Sequence, residues 1–222
     1  MDPDRIRELF ELVRVGTLNS EQAAAELAQL PFQNLGSARI DHHRHLRLGL
    51  PEVVFGEGKT AEQIAMIAGK ILEHHGRVLV TRVKADKARA AADLMPALMY
   101  DVTARVMTAT TRPAPIREMK PVAVVAAGTS DLPVAEEAAQ TLDFAGVPCE
   151  RTYDVGVAGI HRLFDVLPKL TEAPAVIVVA GMEGALPSVV GGLMASPVIA
   201  VPTSIGYGAA LSGFTALLGM LT

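Results

Sequence analysis

The apolar positions of this 222-residue chain change rhythm near residue 120. From Pro121 onward, short apolar runs alternate with longer stretches of helical spacing. Val122–Ala126 is a run of strand length, and Gly128-Thr129-Ser130-Asp131 then leads into a helical stretch over 133–144 that Gly146 ends. Residues 148–153 read as the next strand. Helix 160–167, strand 175–179, helix 186–194, strand 198–201 and helix 207–221 follow. Near-continuously apolar strands are what a parallel sheet covered by helices on both faces requires. Strand–helix–strand repeats close as right-handed crossovers, so this part is expected to be a doubly wound α/β domain.

The first part reads as a smaller α+β domain. Helices over 3–15 and 20–29 precede a basic segment, 39–47, and a strand over 52–55. Residues 60–74 form the next expected helix, with Thr60 at the N-cap and Gln63 three positions on, the spacing of a capping box. A strand over 77–83 and a helix over 86–92 follow. Pro113, Pro115 and Pro121 interrupt the pattern, and the domains are placed at 1–118 and 119–222.

Charge sharpens this division. Before Pro121 there are 17 Lys/Arg and 15 Asp/Glu, and after it 3 and 9, so the parts carry +2 and −6 within a total of −4. With 4% aromatic residues, no tryptophan and no long basic run, the chain is poorly suited to nucleic acid. Cys149 is the one cysteine, so an intrachain disulfide is excluded and a reducing compartment suits the chain. No signal-peptide core stands at the N-terminus, and Pro187, Pro197 and Pro202 cut the uncharged stretch after residue 184. A cytoplasmic protein that does not engage membranes is expected.

Ligands of doubly wound sheets sit at the carboxyl ends of the strands. The loops to watch are therefore 127–132, 154–159, 180–185 and 202–208, all rich in small residues. Gly128, Thr129 and Ser130 lie at a helix N-terminus, where N–H groups and the helix dipole favour a phosphate. A simple N-cap is the plainer reading. Asp131 is suited to orienting a ribose hydroxyl or a magnesium ion. The dinucleotide fingerprint G-x-G-x-x-G is missing, which argues against a hydride-transferring dehydrogenase.

The remaining motifs each have a bland alternative. Gly58-Lys59-Thr60 resembles the end of a phosphate-binding P-loop, but the required earlier glycine is Val53. Lys59 is kept as a contact for a ligand phosphate. In Asp41-His42-His43-Arg44-His45, metal ligation is disfavoured by Arg44 and Arg47, leaving an anion-binding strip or a solvated basic surface. The strip is attractive because the α/β domain is so poor in cations. Cys149 reads as a small core residue within a buried strand. His161 is either a ligand contact or a surface cap, and His74 and His75 simply end a helix before Gly76.

Two resemblances gather these pieces. Gly128-Thr129-Ser130-Asp131-Leu132-Pro133, Ala180-Gly181 with Leu186-Pro187, and Val201-Pro202 before a Gly-rich turn make residues 121–222 similar to the aminoimidazole ribonucleotide carboxylase (PurE-type) fold. Where that family has Ser-Ala-His-Arg, this chain has Val155-Gly156-Val157-Ala158, so its catalytic histidine and phosphate-binding arginine are absent. Asp41-His42-His43-Arg44, the run from Pro51 to Thr60, Asp154 to Arg162, and Gly181 to Pro187 make the whole chain resemble the LarB-type enzymes.

That second resemblance implies carboxylation of the pyridinium ring of nicotinate adenine dinucleotide by CO2/bicarbonate, with phosphoanhydride hydrolysis. The products would be a biscarboxylated mononucleotide and AMP, the first step of nickel-pincer cofactor synthesis. Glu183, in an otherwise neutral loop, is the candidate base or electrostatic stabiliser of the ring. The expected substrate contacts are Arg44, Arg47, Lys59, Gly128, Thr129, Ser130, Asp131, Asp154, Gly156, Val157, Ala158, His161, Gly181, Met182, Gly184, Thr203, Gly206, Tyr207 and Gly208. No tightly bound cofactor or protein-held metal is expected, with Mg2+ accompanying the substrate phosphates, and a closed homo-oligomer is implied. The family's nucleophilic cysteine would follow Thr222, so either the domain is truncated at its C-terminus or this chain lacks the nucleophile and is inactive. Another PurE-like ribonucleotide carboxylase or mutase, and a non-catalytic nucleotide-binding module, are the alternatives.

Overall fold

The computed structural model describes residues 3–28, 33–36 and 38–222. The chain divides into two compact units, Met1–Pro113 and Ala114–Thr222. The join thus falls at 113/114, where the sequence placed it at 118/119. Among the described residues no helix is long and apolar enough to cross a membrane.

The N-terminal unit opens with helices α1 (Pro3–Arg14) and α2 (Ser20–Ala28), with Leu9 buried against Ile6 and Leu18. Gln29, the expected end of the second helix, lies outside the described residues. A short antiparallel ladder of β1 (Gln33–Asn34) and β2 (Arg39–Ile40) precedes helix α3 (Arg44–Leu48). The main sheet contains β3 (Val54–Phe55), β4 (Arg77–Thr81), β5 (Met99–Asp101) and β6 (Val106–Thr110), in the order β3-β4-β6-β5. Helix α4 (Ala61–His75) lies between β3 and β4 in the chain and lets them run parallel, while the other pairs are antiparallel. Ile64, Ile67, Ala68 and Ile71 supply the buried stripe of α4, at the i, i+3, i+4, i+7 spacing of an amphipathic helix.

Two sequence expectations meet their geometry here. The Gln63 N–H donates to Thr60 Oγ1 (3.3 Å) and the Thr60 N–H donates to Gln63 Oε1 (3.0 Å), the reciprocal bonds of the capping box. Helix α5 (Ala85–Leu94) runs beyond the expected 86–92 at both ends. Strands β5 and β6 were not anticipated, because β5 shows little but exposed or half-buried residues and carries no apolar alternation.

The C-terminal unit is a four-stranded, fully parallel sheet of β7 (Val122–Ala126), β8 (Cys149–Thr152), β9 (Val176–Ala180) and β10 (Val198–Pro202), ordered β10-β9-β7-β8. Its helices are α6 (Leu132–Phe144), α7 (Ile160–Leu170), α8 (Leu186–Leu193) and α9 (Phe214–Met220). Alternate residues of β7 serve opposite faces. Ala123 and Val125 pack with Leu163, Leu170, Leu186 and Val190 of α7 and α8, whereas Val124 and Ala126 pack with Ala135 and Ala139 of α6. Burial on both faces is why the strand has no polar alternation. The mixed α/β architecture, with a doubly wound parallel domain behind a smaller α+β one, is the one read from the sequence.

Two expectations are corrected. The single helix over 207–221 is a 3-10 turn, Gly208–Gly213, followed by α9. Leu211 (φ 46°), Ser212 (φ 55°) and Gly213 (φ 95°) are consecutive left-handed residues, which no right-handed helix accommodates. The apolar pattern continues through that break and so hides it. Strand β8 is an edge strand with Glu150 and Arg151 exposed, not a buried one, because the chain crosses back over β7 to lay down β9 on the other side.

Candidate active site

That crossing makes the β7/β9 boundary a topological switch point, where the loops leaving adjacent strands diverge and open a crevice. A cleft of about 290 Å³ lies there. Its floor is built by backbone bonds between loops. The Gly156 N–H donates to the Ala127 carbonyl (2.8 Å), the Ala127 N–H to Val179 (2.9 Å), and the Met182 N–H to Ile205 (2.6 Å). Gly156 is needed for this approach, since a Cβ there would stand 2.7 Å from the Ala127 oxygen.

The loop after β7 lines the cleft with Gly128, Thr129, Ser130 and Asp131, as a 3-10 turn entering α6. Asp131 is only 4% exposed. Its Oδ2 accepts from the Gly128 N–H (3.1 Å) and its Oδ1 from the Thr203 hydroxyl (2.6 Å). Each oxygen thus receives a protein donor, and the carboxylate ties the first loop to the fourth. Among the described residues, no group of three or more His, Cys, Asp or Glu is arranged to hold a metal ion.

The second loop contributes Asp154, Gly156, Val157 and Ala158, and the third contributes Gly181, Met182 and Glu183. Asp154 (φ 61°) and Met182 (φ 53°) both adopt the left-handed region that non-glycine residues rarely occupy, a local strain common where loops shape a site. Arg162 Nη1 lies 2.7 Å from Asp154 Oδ2. Its guanidinium rests on the Gly159 backbone, where a Cβ would come within 2.7 Å of Nε. Arg162 is the cation of the cleft lining, and the sequence reading passed over it in favour of its neighbour. His161 is exposed on α7 and is not part of that lining. The signal was available: loop 154–159 and the first turn of α7 bring positions 154 and 162 together.

Three carboxylates therefore border the cleft. Asp131 is committed to Gly128 and Thr203, and Asp154 is committed to Arg162. Glu183 is exposed, with no hydrogen bond or ion pair among the described residues. Of the other expected contacts in this unit, Gly184, Thr203, Gly206, Tyr207 and Gly208 do not line the cleft. Gly184 packs against Ala216, and Thr203 acts through Asp131. Cys149 begins β8, at the end of the sheet opposite the cleft, and burial pushes its thiol up to about 11, away from a reactive thiolate.

The expected contacts of the N-terminal unit are placed separately. Lys59 lines a larger cavity of about 460 Å³. Arg44 and Arg47 are exposed on α3, and Arg47 is paired with Asp41, whose carboxyl its hydrogen bond holds below the usual range. The 39–47 segment is not a uniformly solvated strip. His42 is 1% exposed, with its ring 4.1 Å from that of His74 and its Nδ1 3.3 Å from His75 Nε2. Burial drives His42 down to about 4 and His75 down to about 3, so both are neutral at pH 7. His74 and His75 thus do more than end a helix: they pack against the segment that the sequence read as basic.

Comparison with known proteins matches this two-part construction. Residues 32–112 match a family described as the LarB/PurE-like N-terminal domain, and residues 121–222 match the AIR carboxylase family. An uncharacterized protein of Methanocaldococcus jannaschii is 36% identical over 225 residues, covering 97% of this chain and 86% of that protein. The N5-carboxyaminoimidazole ribonucleotide mutase of the same organism is 37% identical over 100 residues, 44% of this chain and 59% of the mutase. That of Pyrococcus horikoshii is 34% identical over 102 residues, 45% of this chain and 56% of the mutase. With both domains matched in order and a relative aligned over nearly its full length, the chain belongs to the LarB-type family, in which a LarB/PurE-like domain precedes an AIR carboxylase domain.

Proposed function

We propose that this carboxylase/mutase-related protein carboxylates the pyridinium ring of nicotinate adenine dinucleotide and hydrolyses its phosphoanhydride, releasing AMP. One observation carries the reading: of the three carboxylates at the cleft, only Glu183 has no protein partner among the described residues. A pyridinium ring and carbon dioxide are both electrophiles. A thiolate must first add to the ring, so that the resulting dihydropyridine carries an enamine carbon able to attack carbon dioxide. A base then removes the proton from that carbon, and the thiolate leaves as aromaticity returns. In this reading Glu183 is that base, and Arg162 holds the anionic ring carboxylate or a phosphate. Cys149 begins its strand at the end of the sheet opposite the cleft and is not that thiolate. Magnesium, where present, travels with the substrate phosphates.

The competing reading is a ribonucleotide mutase like the relatives that match residues 121–222. The cleft lining contains no histidine, the acid–base group that the mutase-type sequence would provide. The test offers 13C-bicarbonate and magnesium, with either nicotinate adenine dinucleotide or N5-carboxyaminoimidazole ribonucleotide, to the full-length protein. Mass spectrometry should find one labelled carboxyl group on the pyridinium product, together with AMP. Glu183→Gln should keep nucleotide affinity and lose roughly 10²–10⁴-fold in rate. Turnover of the second substrate alone would replace this reading with the mutase.

A further inference from the structure

We infer that the cavity of the N-terminal unit is a binding site for a nucleoside monophosphate. At about 460 Å³ it is larger than the cleft of the other unit and within the range of small-molecule sites. Three kinds of side chain on its wall match the three parts of such a ligand. Phe55, at the end of β3, is 52% exposed at the cavity wall, where an aromatic side chain can stack on a base. Lys59 is half-buried at the cavity, and its ammonium has no hydrogen bond or ion pair among the described residues. Arg39 adds a second cation to the same wall. Glu52 accepts from the Asp41 N–H through Oε2 (2.8 Å), leaving its other oxygen to accept from a ribose hydroxyl.

The loop that carries Lys59 is held in place. Lys87 Nζ donates to the carbonyls of Gly56 (3.0 Å) and Glu57 (2.8 Å), and the Lys59 N–H donates back to Gly56 (3.3 Å). The carbonyls of this loop face a lysine, and the capping box takes the N–H groups of Thr60 and Gln63. A phosphate here would therefore be recognised by side-chain cations and not by the backbone nest of a P-loop. An aromatic platform, a ribose acceptor and an ammonium carried on a held loop together select a base, a sugar and a phosphate. The choice of AMP as the probe rests on the reaction proposed above, which releases it.

The full chain is titrated calorimetrically with AMP, adenosine and inorganic phosphate. AMP should bind, adenosine should bind on the order of tenfold or more weakly, and Lys59→Met should remove a similar factor from AMP alone. Phe55→Ala should weaken AMP and adenosine together and leave inorganic phosphate unchanged. Both side chains are partly or largely exposed, and thermal melts of the variants check that folding is kept. Failure of AMP to bind, or binding indifferent to both substitutions, overturns the inference. AMP binding that depends on Lys59 and Phe55, in a protein that does not carboxylate the dinucleotide, sustains this site and removes the reaction instead.

Discussion

The Thr203 hydroxyl donates to Asp131 over 2.6 Å, joining loops 72 positions apart in the chain through a carboxylate that is almost fully buried. Thr203→Val removes that donor and leaves a charged oxygen short of a partner, at a cost of about 1–3 kcal/mol. Thermal unfolding should shift down accordingly, and nucleotide affinity should fall because the first loop loses its anchor. Thr203→Ser should restore both. An unchanged melt for the valine variant would show that the bond does not hold the loops.

Arg162→Ala should weaken binding of nicotinate mononucleotide by roughly 10- to 100-fold, the range for one charge-assisted contact to an anion. Stability should barely move, because the Arg162–Asp154 pair is exposed (side chains 38% and 53%) and such pairs contribute little. Calorimetry and a urea melt on the same variant separate the two effects. A large loss of stability with affinity intact would make Arg162 a structural residue.

The buried histidines make stability depend on pH in a defined window. His42 and His75 have folded values near 4 and 3 against an ordinary 6.5, so the unfolded chain binds more protons below pH 6.5. Their contribution is present in full above 6.5 and is lost as pH falls towards 4 and then 3. Urea midpoints should therefore drop between pH 7 and pH 5, above the range where carboxylates titrate. Replacing both histidines with Gln should flatten that slope, and an unaltered slope in the double variant would place its origin elsewhere.

Tyr207 (82% exposed), Leu211 (68%), Phe214 (64%) and Leu218 (61%) are exposed apolar residues of the C-terminal turn and α9. Exposed apolar residues gathered in one region mark an association surface, and a second copy of the chain is the expected partner. Light scattering at micromolar concentration should give a dimer or larger species. Leu218→Glu, which introduces a charge on an already exposed side chain, should shift the distribution towards monomer. A monomeric parent chain would refute this.

What the sequence determined by itself was whatever is encoded by nearest neighbours and periodicity. The continuous apolar runs of β7 and β9 report burial on two faces, and the Thr60–Gln63 spacing specified a cap that forms as drawn. The loops carrying Gly128–Asp131, Asp154–Ala158 and Gly181–Glu183 could be named in advance, because a parallel sheet always delivers its ligand to the same end. Tertiary structure alone decided how those residues are used. Hydrogen bonds between distant loops commit Asp131 to Thr203, and a reversal of strand order leaves Cys149 on an edge. The turn into α7 puts Arg162, not His161, at the cleft, and α4 packs its last histidines on His42. Such pairings depend on through-space distance between segments, a quantity that local spacing does not contain. The left-handed run at Leu211–Gly213 was invisible for a related reason: apolar composition records where a chain is buried or meets a partner, but not the sign of φ.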